Sequence, residues 1–158
     1  MTRVLLLCTH NSARSQIAEG WVRHYALELG ADIEVSSAGT EQTQVKPEAI
    51  QVMQEVDIDL SSHSSKSLDM LPDPWAFDVV VTVCDSANEA CPVYPTKTTR
   101  LHVSFPDPSG QGVQGWREVR DALSCMSRVL VEMIAKGETP AQETLVEAGK
   151  LPQLGRSR

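Results

Sequence analysis

Residues 3–15 read RVLLLCTHNSARS: an almost unbroken apolar run, then Cys8, five residues, Arg14 and Ser15. Val4 to Leu7 have the composition of a strand buried on both faces. From Ser15 the pattern changes period: Ile17, Ala18, Trp21, Val22, Tyr25 and Leu29 fall on one helical stripe, with Gly30 as the stop. The stretch therefore predicts strand, short loop, helix. A cysteine at that strand end sits where backbone N–H groups converge. Such a loop cradles a tetrahedral oxyanion and lowers the pKa of a thiol held in the same field. Cys8 is the expected nucleophile. Thr9, His10, Asn11, Ser12, Ala13, Arg14 and Ser15 are the expected anion-binding residues. Arg14 offers a planar fork for two oxygens, and Ser15 a hydroxyl for the Cys8 sulfur. Taken alone, the spacing also fits a buried structural cysteine beside a surface arginine. Its place between a strand and a helix favours the functional reading.

Working outward, Ile33 to Ser37 reads as a second strand ended by Ala38 and Gly39. Pro47 suits the first position of a helix and Glu48 its first turn, with Ala49, Ile50, Met53 and Val56 at helical spacing. Ser61 to Ser67 is polar and reads as a loop. Phe77 to Val83 is a third strand with Cys84 at its carboxyl end, and Leu101 to Phe105 a fourth, running into Pro106-Asp107-Pro108. Trp116, Val119, Leu123, Met126, Leu130 and Met133 mark a long helix ending near Gly137. Beyond Glu138 the helical pattern fades. Alternating strands and helices predict an α/β fold: three layers, a four-stranded parallel twisted sheet flanked by helices. Residues 1–137 are expected to form one catalytic domain, and 138–158 a C-terminal extension, partly ordered or frayed.

The chain has 158 residues, 41% hydrophobic and 22% charged, which suits a single globular domain with a sizeable core. A net charge of −7 argues against nucleic acid or an anionic membrane as partner. An anionic substrate must then be held by a local nest. No run approaches the ~20 apolar residues of a membrane span. MTRVLLLCTH is too short and too soon polar for a signal peptide, so a cytoplasmic location is expected; the chain is also expected to be a monomer. Four cysteines (Cys8, Cys84, Cys91 and Cys125) then point to catalysis or redox work more than to a disulfide framework. No spacing completes four zinc ligands, so no metal and no bound cofactor are expected.

Two further motifs carry chemistry. Cys84 and Cys91 bracket CDSANEACP, a pair able to form a disulfide if that segment rearranges. Asp107 stands between two prolines in FPDPSG, where a stiff loop can fix a carboxyl group and, when protonated, let it act as general acid.

The anion loop, the following SQIAEGW (15–21), Ser37-Ala38-Gly39, Val45-Lys46-Pro47-Glu48-Ala49 and Val56-Asp57-Ile58-Asp59 together resemble the low-molecular-weight protein tyrosine phosphatase superfamily. Within it the chain resembles the thioredoxin-coupled arsenate reductases, over residues 3 to 136. That resemblance implies a three-cysteine relay. Cys8 attacks arsenate while Arg14 holds it and Asp107 protonates the leaving oxygen. Cys84 then attacks Cys8 and arsenite departs. Cys91 attacks Cys84, and thioredoxin reduces the resulting disulfide. Tyrosine phosphatases of the superfamily carry aromatic residues after the aspartate. Ser109 and Gly110 follow here, which favours a small inorganic oxyanion. Asn11, Glu19 and Ser37 match a potassium site of some of these reductases, with Lys66 at the position of its remaining carboxylate. The resemblance thus implies that the lysine takes the cation's place. The alternatives are a phosphomonoesterase using Cys8, Arg14 and Asp107, or a non-enzymatic redox or oxyanion sensor.

Overall fold

A computed structural model describes residues 1–8, 13–39, 44–83 and 97–150. In chain order these form β1 (Thr2–Cys8), α1 (Arg14–Leu29), β2 (Ile33–Gly39), α2 (Pro47–Gln54), a 3-10 turn at Leu68–Met70, β3 (Val79–Thr82), β4 (Thr99–His102), α3 (Gly112–Ala135) and α4 (Gln142–Gly149). The four strands make one parallel sheet in the order β2-β1-β3-β4. Val4, Leu5 and Leu6 are fully buried, as the continuous apolar run requires of a central strand. Chain order reverses between β1 and β3, and ligands of open α/β sheets bind outside the carboxyl ends of strands at such a point. Cys8 pairs with Gly39 at the end of β1. On the other side, Val83 donates its N–H to the Leu7 carbonyl at 3.0 Å.

Alternate residues of β1 feed different cores. Val4, Leu6 and Cys8 join Val79, Val81, α1, α2, α3 and α4 in the larger one; Leu5 and Leu7 join Val80, Leu71 and Phe77 in the smaller. Arg3 anchors the opposite end of the sheet. Its guanidinium lies 4.4 Å from the Phe77 ring centroid and donates to the Pro72, Asp73 and Ala76 carbonyls.

The helix stops are those the sequence predicts. Gly30 takes a left-handed conformation (φ 66°) and returns its N–H to the last turn of α1; Pro47 opens α2. Five readings differ. The third strand is shorter at both ends, Val79–Thr82 rather than Phe77 to Val83. Leu29 is exposed rather than on the buried stripe, while Ser15, Gln16 and Glu19 are buried, because the N-terminal half of α1 is enclosed on several sides. Val56 lies beyond the end of α2. The fourth strand begins at Thr99 and ends at His102, not Leu101 to Phe105. Val103 still donates to the Thr82 carbonyl at 2.9 Å, but Pro106 and Pro108 have no N–H to extend the ladder. Finally, helicity resumes after Glu138: α4 buries Leu145 completely and packs on α3. Eight residues with only Leu145, Val146 and Ala148 as apolar positions give too short a stripe to stand out in the sequence.

Side-chain ties fix α3 against its neighbours. The Trp21 indole donates to the Arg120 carbonyl at 3.1 Å, and the Tyr25 and Ser124 hydroxyls are 2.7 Å apart. Arg117 and Arg120 both reach the Glu55 carboxylate at 2.8 Å, joining the end of α2 to α3. Among the described residues no helix is long and apolar enough to cross a membrane.

Candidate active site

The site forms at the carboxyl edge of the sheet. Cys8, only 6% exposed, is the last residue of β1, and α1 begins six residues later at Arg14. Ala13 occupies the N-cap of α1 and supplies no side-chain acceptor, and the first turn holds no acidic residue. The positive end of the helix is thus uncompensated by its own side chains, the arrangement that favours an external anion. Ser15, in the first turn, is fully buried.

Arg14 leads from the helix start to the fourth strand's exit. Its Nη1 donates to the Phe105 carbonyl at 2.8 Å, two residues before Asp107. That bond sets the guanidinium beside the loop bearing the carboxylate. Asp107 Oδ1 accepts the Ser109 N–H at 3.0 Å, and Gln111 Nε2 donates to the Asp107 carbonyl at 3.2 Å. The Ser109 backbone N–H, and after it the Ser109 hydroxyl and the charges of Arg14 and Lys46, hold Asp107 below the usual carboxylate range; partial desolvation opposes them. In the unliganded protein Asp107 is a carboxylate at neutral pH.

Cys8, Ala13, Arg14, Ser15 and Asp107 thus gather around the carboxyl ends of β1 and β4. Thr9, His10, Asn11, Ser12, Cys84 and Cys91 lie outside the described residues. Val83, the residue before Cys84, is hydrogen-bonded to Leu7, the residue before Cys8. Cys125 is half-buried on α3, where desolvation pushes its thiol up, the Asp121 charge adding to the effect. Such a thiol is poorly suited to nucleophilic work.

Behind the loop lies a polar network only partly foreseen from the sequence. Glu19 accepts a short hydrogen bond from the Ser37 hydroxyl and pairs with the Arg23 guanidinium at 2.6 Å. His63 Nδ1 is 2.9 Å from Gln16 Oε1 and 3.7 Å from Glu19, and its Nε2 lies 3.2 Å from Arg23. Burial pulls the His63 pKa down, against the Glu19 charge. Gln16 in turn donates to the Ser64 carbonyl at 3.0 Å, as does Lys66. Arg23, one helical turn along, pairs with Glu19; Lys66 lies close by, on the Ser64 carbonyl. The signal was the i,i+4 spacing of Glu19 and Arg23. Among the described residues no group of three or more His, Cys, Asp or Glu side chains is placed to hold a metal ion.

The parallel sheet with Cys8 at the end of its central strand and a helix opening at Arg14 is that of a phosphatase-like enzyme. The low molecular weight phosphotyrosine protein phosphatase family matches residues 3–139, and the chain belongs to it. An arsenate reductase of Staphylococcus saprophyticus is 43% identical over 120 residues, spanning 76% of this chain and 88% of that protein. Among solved structures, an arsenate reductase in the phosphate-binding state superposes with a TM-score of 0.72. It is 34% identical and covers 85% of this chain and 99% of its own. A thioredoxin-dependent arsenate reductase of Corynebacterium glutamicum gives a TM-score of 0.70 at 28% identity, covering 87% of this chain and 64% of its own.

Proposed function

We propose that the protein reduces arsenate to arsenite, with Cys8 as nucleophile, Arg14 as oxyanion clamp and Asp107 as general acid. The observation that carries the reading is the junction of Cys8, the uncapped start of α1, and an Arg14 guanidinium fixed on the Asp107 loop. The 43% identical relative described as an arsenate reductase supports the choice of oxyanion. Ser109 and Gly110, which follow Asp107 where tyrosine phosphatases of the superfamily carry aromatic residues, support it too.

The Cys8 thiolate attacks arsenic while Arg14 and the loop amides of residues 9–14 hold the oxygens. Substrate binding also prepares the acid. An anion on Arg14 offsets the guanidinium charge, a lesser contributor beside the Ser109 N–H to the lowered Asp107 pKa, and so moves that pKa upward. Asp107 then protonates the departing oxygen, which leaves as water. Cys84 attacks the Cys8 sulfur, the electron pair of the sulfur–arsenic bond passes to arsenic, and arsenite departs from a Cys8–Cys84 disulfide. Cys91 attacks Cys84, forming Cys84–Cys91 and freeing Cys8. A thioredoxin dithiol reduces that disulfide and is itself oxidised. Adjacent sheet positions of Val83 and Leu7 support a short path between Cys84 and Cys8. The thioredoxin-dependent relative supports the reductant.

The test is arsenate-dependent NADPH oxidation with thioredoxin and thioredoxin reductase. Wild type is expected to turn over repeatedly, and Cys8→Ser, Cys84→Ser and Cys91→Ser to lose turnover. Full turnover in Cys84→Ser and Cys91→Ser would refute the relay. Efficient phosphomonoester hydrolysis without arsenate turnover would make the protein a phosphatase.

A further inference from the structure

Helix α4 lies just outside the span matched by the family and touches the fourth-strand segment at two points. At its start, Gln142 Oε1 accepts the His102 N–H at 3.0 Å. His102 is the last residue of β4, whose other side pairs with β3. At its end, Gly149 packs so close to Phe105 that a Cβ there would stand 3.1 Å from Cε1 and 3.3 Å from Cζ of the ring. Between them Leu145 is fully buried in the main core. Phe105 is 3% exposed, and its carbonyl receives Arg14. Asp107 follows two residues later. The contacts run from α4 to residues 102 and 105 and from Phe105 to Arg14, and the chain continues from Phe105 to Asp107.

We propose that α4 is a positioning element of the oxyanion site: Gln142 and Gly149 set residues 102–105 and so aim the Arg14 guanidinium and Asp107. The proposal rests on the functional reading above for the identity of the anion, and on the contacts alone for the coupling. The hydrogen bond from His102 fixes where the strand stops. The Phe105 ring, held by α4 on the face Gly149 leaves open, fixes the orientation of the following peptide. Misplacement of a clamp by about 1 Å is costly in oriented catalysis.

The test uses the full chain with inorganic phosphate as probe, measured calorimetrically under reducing conditions. Gln142→Ala removes the acceptor, Gln142→Glu keeps one, and Gly149→Leu drives a side chain against Phe105 while raising helix propensity. Gln142→Ala and Gly149→Leu are expected to weaken phosphate binding about three- to tenfold. Gln142→Glu is expected within about twofold of wild type, a rescue that loss of helix packing alone would not give. The same order is expected for KM in the arsenate assay, together with an altered pH profile where Asp107 acts. Wild-type affinity in Gln142→Ala overturns the proposal, whether or not Gly149→Leu folds. If wild type binds no phosphate, the functional reading fails. The coupling is then read from the nitrogen resonances of Arg14, which must move in Gln142→Ala and return in Gln142→Glu or the proposal is wrong.

Discussion

At Arg14, one side chain serves two structures: its Nη1 closes on the Phe105 carbonyl while the guanidinium stands at the start of α1. A lysine keeps the charge but not the planar fork, so it cannot hold that carbonyl and two anion oxygens together. Arg14→Lys is expected to weaken phosphate binding by about 1.5–3 kcal/mol, about ten- to a hundredfold, with little change in thermal midpoint. Titration with inorganic phosphate measures it, and affinity equal to wild type would remove Arg14 from the clamp. Cys8 and Arg14 were legible as residues because their spacing and flanking periodicities are local. The Arg23–Glu19 pair was not, since choosing among Arg23, Lys66 and a bound cation needs the fold of residues 61–67 against α1.

For the elements, the joint between α2 and α3 carries the clearest electrostatic signature. Arg117, by hydrogen bond and charge, and Arg120 beside it lower Glu55 from 4.5 to about 2. A carboxyl whose folded pKa is depressed contributes stability above its unfolded pKa and loses it as pH falls through the folded value. Denaturation midpoints between pH 4.5 and about 2 are therefore expected to fall more steeply in wild type than in Glu55→Gln. Both guanidiniums remain partly hydrated, so the effect is modest. Equal slopes would show that the pair contributes nothing in solution. Elements were read well wherever a period and a stop residue coincide, as at Gly30 and Pro47. The start of β4 was misplaced because its ladder is set by pairing with Val79 to Thr82, while the strongest apolar residues, Val103 and Phe105, serve the core beyond it.

Across the whole molecule, the parallel sheet explains why so much of the site could be inferred. Once β1 and β3 are adjacent and parallel, Cys8 and the carboxyl end of β3 share one edge of the sheet. The part that sequence could not supply is α4, since burial of Leu145 depends on the helix docking against α3 and the main core. Leu145→Ala is expected to cost about 2–5 kcal/mol in urea unfolding, with the cavity falling in the main core beneath α4. A loss below about 0.5 kcal/mol would mean that α4 docks only loosely. The Gln142 contact has one more consequence. β4 is the last strand of the sheet and just four residues long; on its outer side the His102 N–H is already taken by a side chain. Removing the helix would free that N–H on an edge strand, and unpaired edge groups are the template from which strands add. Gln142 thus occupies one of the outward peptide groups through which a neighbouring copy could add to β4.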